Sequence, residues 1–156
     1  MIYKKNKLMI DGVEVEKLAK KFRTPLYCYS YEKLQKNINV IKKNFKEFSP
    51  LICFSVKSNS NIKILEEIRK FNIGADVVSI GELMKVLKAG FNPEKIVFSG
   101  VGKTKHEIEY AINKKILLIN TESKNEILLI NKIAKLKKKK VNIGIRLNPD
   151  TDAKTI

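Results

Sequence analysis

Cysteine, histidine and long apolar runs are all scarce in this chain of 156 residues, and each shortage closes off a class of protein. Only Cys28 and Cys53 are present, so no disulfide framework is indicated. Each lies in an apolar, strand-like run, where a free thiol is expected to behave as a small buried hydrophobe. The single histidine, His106, falls at a helix start and is expected on the surface. No metal site is singled out. No stretch approaches the roughly 20 apolar residues that span a bilayer, and residues 1–9 contain no apolar core of signal-peptide length. The resulting expectation is a cytoplasmic location. Acidic residues are few as well, 16 against 32 basic ones, which leaves a formal net charge of +16. A polyanion-binding surface usually shows a clustered basic stripe or interleaved aromatic platforms. Here lysine is spread over nearly every segment and only 137–140 form a run, so no nucleic-acid partner is expected and the lysines read as solvated helix faces.

What is present is the composition of a soluble globular protein, 44% hydrophobic and 31% charged, at a length that suits one domain. Two periodicities alternate along it. Short β-branched runs at 26–29, 51–56, 75–78, 96–99, 116–119 and 141–147 predict buried strands. Helical patterns fill the gaps at 31–48, 61–71, 81–88, 105–113 and 122–136. Leu34, Ile38, Ile41 and Phe45 recur at helical spacing, as do Ile127, Ile130, Ile133 and Ala134, giving one apolar stripe per helix. Strands without clear alternation, separated by single helices, predict a parallel α/β sheet covered on both sides with right-handed crossovers. Ser30 reads as a plain helix cap, while Thr104 with Glu107 and Ser123 with Glu126 match the capping box. Gly74 and Gly90 sit where helices should stop. Before about residue 24, a hairpin-like stretch at 8–15 turns at Asp11-Gly12 and leads into a short helix ending at Phe22. The pattern suits an open doubly wound sheet or part of a (β/α)8 barrel, and does not choose between them. A whole barrel takes about 250 residues.

One segment carries candidate chemistry. Val56-Lys57-Ser58-Asn59-Ser60-Asn61 puts a lysine at the C-terminal end of an apolar strand, where α/β enzymes place their working groups. In partly dry surroundings its amine could condense with a carbonyl such as an aldehyde cofactor. The same position suits a merely solvated lysine.

The segment resembles the cofactor-lysine motif of the diaminopimelate decarboxylase family. The resemblance continues through Gly74-Ala75-Asp76-Val77-Val78-Ser79-Ile80-Gly81-Glu82-Leu83, through Ile96-Val97-Phe98-Ser99-Gly100-Val101-Gly102-Lys103-Thr104, and through Asn120-Thr121-Glu122-Ser123. It closes with Arg146-Leu147-Asn148-Pro149 and Asp152-Ala153-Lys154-Thr155, while Thr24-Pro25-Leu26-Tyr27 resembles the usual opening of the barrel. It implies an incomplete (β/α)8 TIM-type barrel of about six units, of the alanine-racemase-like class. Residues 24–156 would be part of the barrel that binds pyridoxal 5'-phosphate (PLP), and 1–23 would pack on a β-domain. The implied reaction is decarboxylation of meso-2,6-diaminopimelate to L-lysine and carbon dioxide, in lysine biosynthesis.

Residue by residue, the resemblance makes Lys57 the Schiff-base lysine and places Asp76, Glu82 and Arg146 in the cofactor pocket. Asp76 would equally serve as a strand-end cap, Glu82 as a first-turn acid, and Arg146 as one half of an ion pair at the barrel mouth. The Gly100-Val101-Gly102-Lys103 loop looks like a phosphate cradle, although the family holds phosphate mainly elsewhere, and family members often have Asn where Val101 stands. The family's ring-stacking histidine, its glycine-rich phosphate loops and its substrate-facing domain would all follow residue 156. The chain alone is therefore expected to be an inactive fragment with an exposed edge at 141–147. Family members form homodimers, and the partner implied is a small amino acid. The other readings are a decarboxylase of the ornithine, arginine or carboxynorspermidine type, a non-catalytic PLP carrier, and a basic nucleic-acid-associated fragment.

Overall fold

The computed structural model describes residues 1–149, so the Asp152–Thr155 motif lies outside the described residues. By their contacts the residues divide into two units, Met1–Pro50 and Leu51–Ile156.

In the first unit, β1 (Ile2–Lys4), β2 (Lys7–Ile10) and β3 (Val13–Glu14) pair antiparallel in that order, and α1 (Val15–Phe22) and α2 (Tyr31–Asn44) follow. The expected hairpin is thus the second half of a three-stranded meander. Asp11 in its turn accepts from Ser30 Oγ at 2.5 Å and from the Glu32 amide at 3.2 Å, while Ser30 caps α2 by accepting from the Lys33 amide. These bonds hold the Asp11 carboxyl below its ordinary range, the Ser30 hydroxyl having the largest influence. Four expectations fail here. Residues 26–29 form no strand: Tyr27 is 87% exposed and Cys28 is exposed, so the thiol is not a buried hydrophobe. Apolar composition marked the run, but a strand exists only through a ladder, and none forms there among the described residues. Of the α2 stripe only Ile38 is buried, Ile41 and Phe45 being exposed. Helix α2 also stops at Asn44, and a 3-10 turn occupies Lys46–Phe48.

The second unit is α/β, part of a barrel. It alternates β4 (Cys53–Ser55), α3 (Ile62–Arg69), β5 (Gly74–Val77), α4 (Ile80–Lys88), β6 (Ile96–Phe98), α5 (Lys105–Lys114), β7 (Leu118–Thr121), α6 (Lys124–Leu136) and β8 (Ile143–Ile145). The five strands are parallel and stand in chain order, as successive β-α units require. Ala75, Val77, Ile96, Phe98 and Ile119 point to one face and are buried with Leu65, Ile68, Leu83, Val86, Ile108, Ile130 and Ile133 of the helices. The opposite face carries Cys53, Ser55, Asp76, Val97, Leu118 and Asn120, none fully buried. The sheet is two-faced. Gly90 does end α4, with a Phe91 N–H to Val86 carbonyl bond of 3.0 Å. Gly74 does not end α3; it opens β5, where an added Cβ would strike the Lys95 carbonyl.

Helix starts are pinned by acids. Glu107 accepts from the Thr104 amide and hydroxyl, each at 2.9 Å, and from the Ile80 amide at 3.2 Å, closing the expected capping box and tying α5 to α4. The Thr104 amide above all holds the Glu107 carboxyl below its ordinary 4.5. A carboxyl whose value is lower folded than unfolded stabilises the protein above the unfolded value, and that stability is lost as pH falls through the folded one. Thr104→Ala should therefore cost about 1 kcal/mol at neutral pH. Glu107→Gln should flatten the loss of stability on acidification below 4.5, as read from urea midpoints across pH 7 to 3; parallel curves for wild type and variant would overturn the assignment.

Candidate active site

In a parallel sheet every strand delivers its C-terminal end to one edge, so residues following different strands meet there. After β4 a 3-10 turn, Val56–Ser58, breaks the strand. Its neighbours each have a structural task. Val56 is completely buried and anchors the turn. Ser58 Oγ donates back to the Ser55 carbonyl at 2.7 Å, and Asn59 Oδ1 accepts from the Asn61 amide at 3.0 Å. Ser60 Oγ accepts from Lys85 Nζ on α4 at 2.8 Å, and Asn61 caps α3 by accepting from the Lys63 amide at 2.9 Å. Lys57 is the exception: it is exposed and its amine has no partner among the described residues. The dry surroundings expected for it are not supplied by the described residues. A free primary amine held on so firmly built a turn does fit an aldehyde-bearing cofactor.

Asp76 lies on the adjacent strand, with Ser55 as its register partner. Its Oδ1 accepts from Ser99 Oγ at 2.5 Å, and Ser99 Oγ accepts from Asn120 Nδ2 at 2.9 Å. Burial pushes the Cys53 thiol up, and the Asp76 charge on the same face adds to the effect. Glu82, by contrast, turns its Oε2 to the Val78 amide at 2.9 Å, and its own amide donates to Ser79 Oγ at 3.2 Å. Arg146 reaches Glu122 Oε1 at 3.5 Å and remains half exposed. The structure thus brings Lys57 and Asp76 to neighbouring strand ends, engages one oxygen of Glu82 in the start of α4, and pairs Arg146 with an acid following β7.

The Gly100–Lys103 loop offers less than its glycines promise. An added Cβ at Gly100 would meet the Val78 carbonyl, so close packing explains that glycine. Lys103 Nζ, on a side chain only 1% exposed, lies 2.9 Å from Glu126 Oε1 and 2.6 Å from the Asn120 carbonyl, beneath the Phe98 ring. Its ammonium is engaged inside the fold. This buried pair and the Ser99–Asn120 contact both escaped the sequence reading. Ser99 and Asn120 stand two residues beyond Val97 and Leu118, which are register partners, so period two would have found them had the register been known. His106 is exposed, as expected.

Comparison with known proteins adds to this geometry. Residues 31–156 match the pyridoxal-binding domain of pyridoxal-dependent decarboxylases. A diaminopimelate decarboxylase of Aquifex aeolicus is 42% identical over 153 residues, 98% of this chain and 36% of that protein. The crystal structure of diaminopimelate decarboxylase from Helicobacter pylori complexed with L-lysine aligns with a TM-score of 0.88 at 44% identity, covering 91% of this chain and 36% of that one. An ornithine decarboxylase of Entamoeba histolytica aligns less well, with a TM-score of 0.69 at 27% identity over 85% of this chain and 41% of that one. The chain spans about a third, 36%, of the length of the diaminopimelate decarboxylases it matches. No helix among the described residues is long and apolar enough to cross a membrane.

Proposed function

The chain belongs to the pyridoxal-dependent decarboxylases, as the bearer of their pyridoxal-binding domain, and from that premise we propose that the protein it represents decarboxylates meso-2,6-diaminopimelate to L-lysine and carbon dioxide. The free amine of Lys57 is the observation that carries the proposal. Lys57 would hold the cofactor through its ε-amine. PLP, when bound, supplies the electron sink for the pair left behind by the departing carboxylate. Asp76 places a carboxylate on the strand beside the one that delivers Lys57. Glu82 and Arg146 are proposed to complete the cofactor site: Glu82 fixes the start of α4 while its Oε1 has no partner among the described residues, and Arg146 braces β8 against Glu122. Residues 24–156 are assigned to the cofactor barrel and 1–23 to a segment that packs on a further domain. A cytoplasmic homodimer is the assembly we propose for the whole protein.

Greater likeness to diaminopimelate decarboxylases than to the ornithine enzyme favours diaminopimelate as substrate. Full-length protein should therefore release carbon dioxide from meso-diaminopimelate with a kcat/KM at least about a hundredfold above those for ornithine, arginine and carboxynorspermidine, because unpaired polar groups in a specific site penalise the wrong amino acid. Preference for any of the other three, or cofactor binding without release of carbon dioxide, would reject the proposal.

A further inference from the structure

We propose that Ser99 and Asn120 are positioning residues that fix the orientation of the Asp76 carboxylate at the mouth of the sheet, next to the strand that delivers Lys57; this rests on the reading of Lys57 as the cofactor lysine. The pairing register makes the arrangement possible. Asp76 is the partner of Val97, and Val97 of Leu118. Two residues further along the chain, Ser99 just past the end of β6 and Asn120 within β7 therefore fall on the same side as Asp76 and closer to the mouth.

The polarity of the chain follows from counting donors. A carboxylate only accepts, so the one hydroxyl proton of Ser99 goes to Asp76 Oδ1, over 2.5 Å. Ser99 Oγ then has lone pairs alone to offer, and the Asn120 amide donates to it over 2.9 Å. This turns Asn120 Oδ1 toward β8, where Gly144 stands; a Cβ on Gly144 would collide with that oxygen. Each member thus has one role, and the row runs Asn120 to Ser99 to Asp76. Asp76 Oδ2 is left without a partner among the described residues.

None of the three side chains caps a helix, and all lie on the half-buried face rather than in the helix-packed core. Their bonds orient a carboxylate instead of holding secondary structure. Chains of hydrogen bonds ending on a charge strengthen one another, and a bond to a charged group is worth more than a neutral one.

A double-mutant cycle on the full-length protein tests this. Two quantities are measured: the rate at which apoprotein captures PLP on Lys57, trapped with borohydride, and the kcat and KM of decarboxylation. Ser99→Ala should slow capture and lower kcat by about ten- to a hundredfold with KM held within about twofold. Ser99→Thr, which keeps the hydroxyl, should restore both rates to within a few-fold of wild type. In an Asp76→Ala background Ser99→Ala should add less than about a twofold effect, because the partner through which it acts is gone. Asn120→Ala gives a second, independent cycle should Ser99→Ala fail to fold. Equal factors in both backgrounds, or no effect where Asp76 is intact, would overturn the proposal. If that happened with the coenzyme still trapped on Lys57, only the positioning role would fail; a label found on another side chain would instead remove the cofactor reading beneath it.

Discussion

Lys57→Ala in the full-length protein will abolish borohydride-stable attachment of PLP and lower kcat/KM by about a thousandfold or more. The magnitude follows from tethering: an amine held at the reacting carbon is worth an effective molarity of about 10^5 M or higher, which no free amine in solution matches. Structurally the change should be mild, since the side chain is exposed and makes no bond among the described residues, while the buried Val56 and the bonds of Ser58, Asn59 and Asn61 hold the turn. Melting temperature should therefore stay near that of wild type. Lys57→Arg separates charge from nucleophilicity: it keeps a cation at the strand mouth but cannot condense with the aldehyde, and should be equally inactive. Peptide mapping of the reduced protein checks the assignment directly. A pyridoxyl group on any other lysine would sink it.

The second large effect concerns stability. Lys103 and Glu126 form an ion pair with side chains 1% and 9% exposed. Lys103→Met strands a carboxylate in the interior and should cost about 3–5 kcal/mol, the usual penalty for removing one partner of a buried pair. Glu126 cannot be deleted freely, because its Oε2 also accepts from the Glu122 amide at 2.7 Å at the start of α6. Glu126→Gln keeps an acceptor for that amide and removes the charge. The double variant Lys103→Met with Glu126→Gln should therefore recover most of the loss. Urea unfolding of the three variants measures this, and a single-variant cost under about 1 kcal/mol would show that water reaches the pair.

The helices and helix starts were the most legible part of the sequence, because their signals are local. Thr104 and Glu107 announced a capping box that the structure closes, and of the stripe Ile127, Ile130, Ile133 and Ala134 the middle two are buried and the outer two half-buried. Strand limits were less legible: β7 lies at Leu118–Thr121 against an expected 116–119, and β8 shrinks from 141–147 to Ile143–Ile145. Ladder pairing sets those limits, and pairing depends on residues distant in the chain. The same non-locality hid the Lys103–Glu126 pair, whose members are 23 residues apart, and the Asp76–Ser99–Asn120 row, whose members come from three strands. Lys57 was visible because its motif is contiguous. What the sequence could not show is that every polar neighbour in that motif is occupied elsewhere.

The two-faced sheet has an evolutionary consequence. Ala75, Val77, Ile96, Phe98 and Ile119 answer to helix packing, while Ser55, Asp76, Ser99 and Asn120 answer to whatever sits in the mouth, and along each strand the two sets alternate without sharing a position. A lineage could therefore alter what the mouth presents by exchanging residues of that one set, leaving untouched the layer on which folding depends.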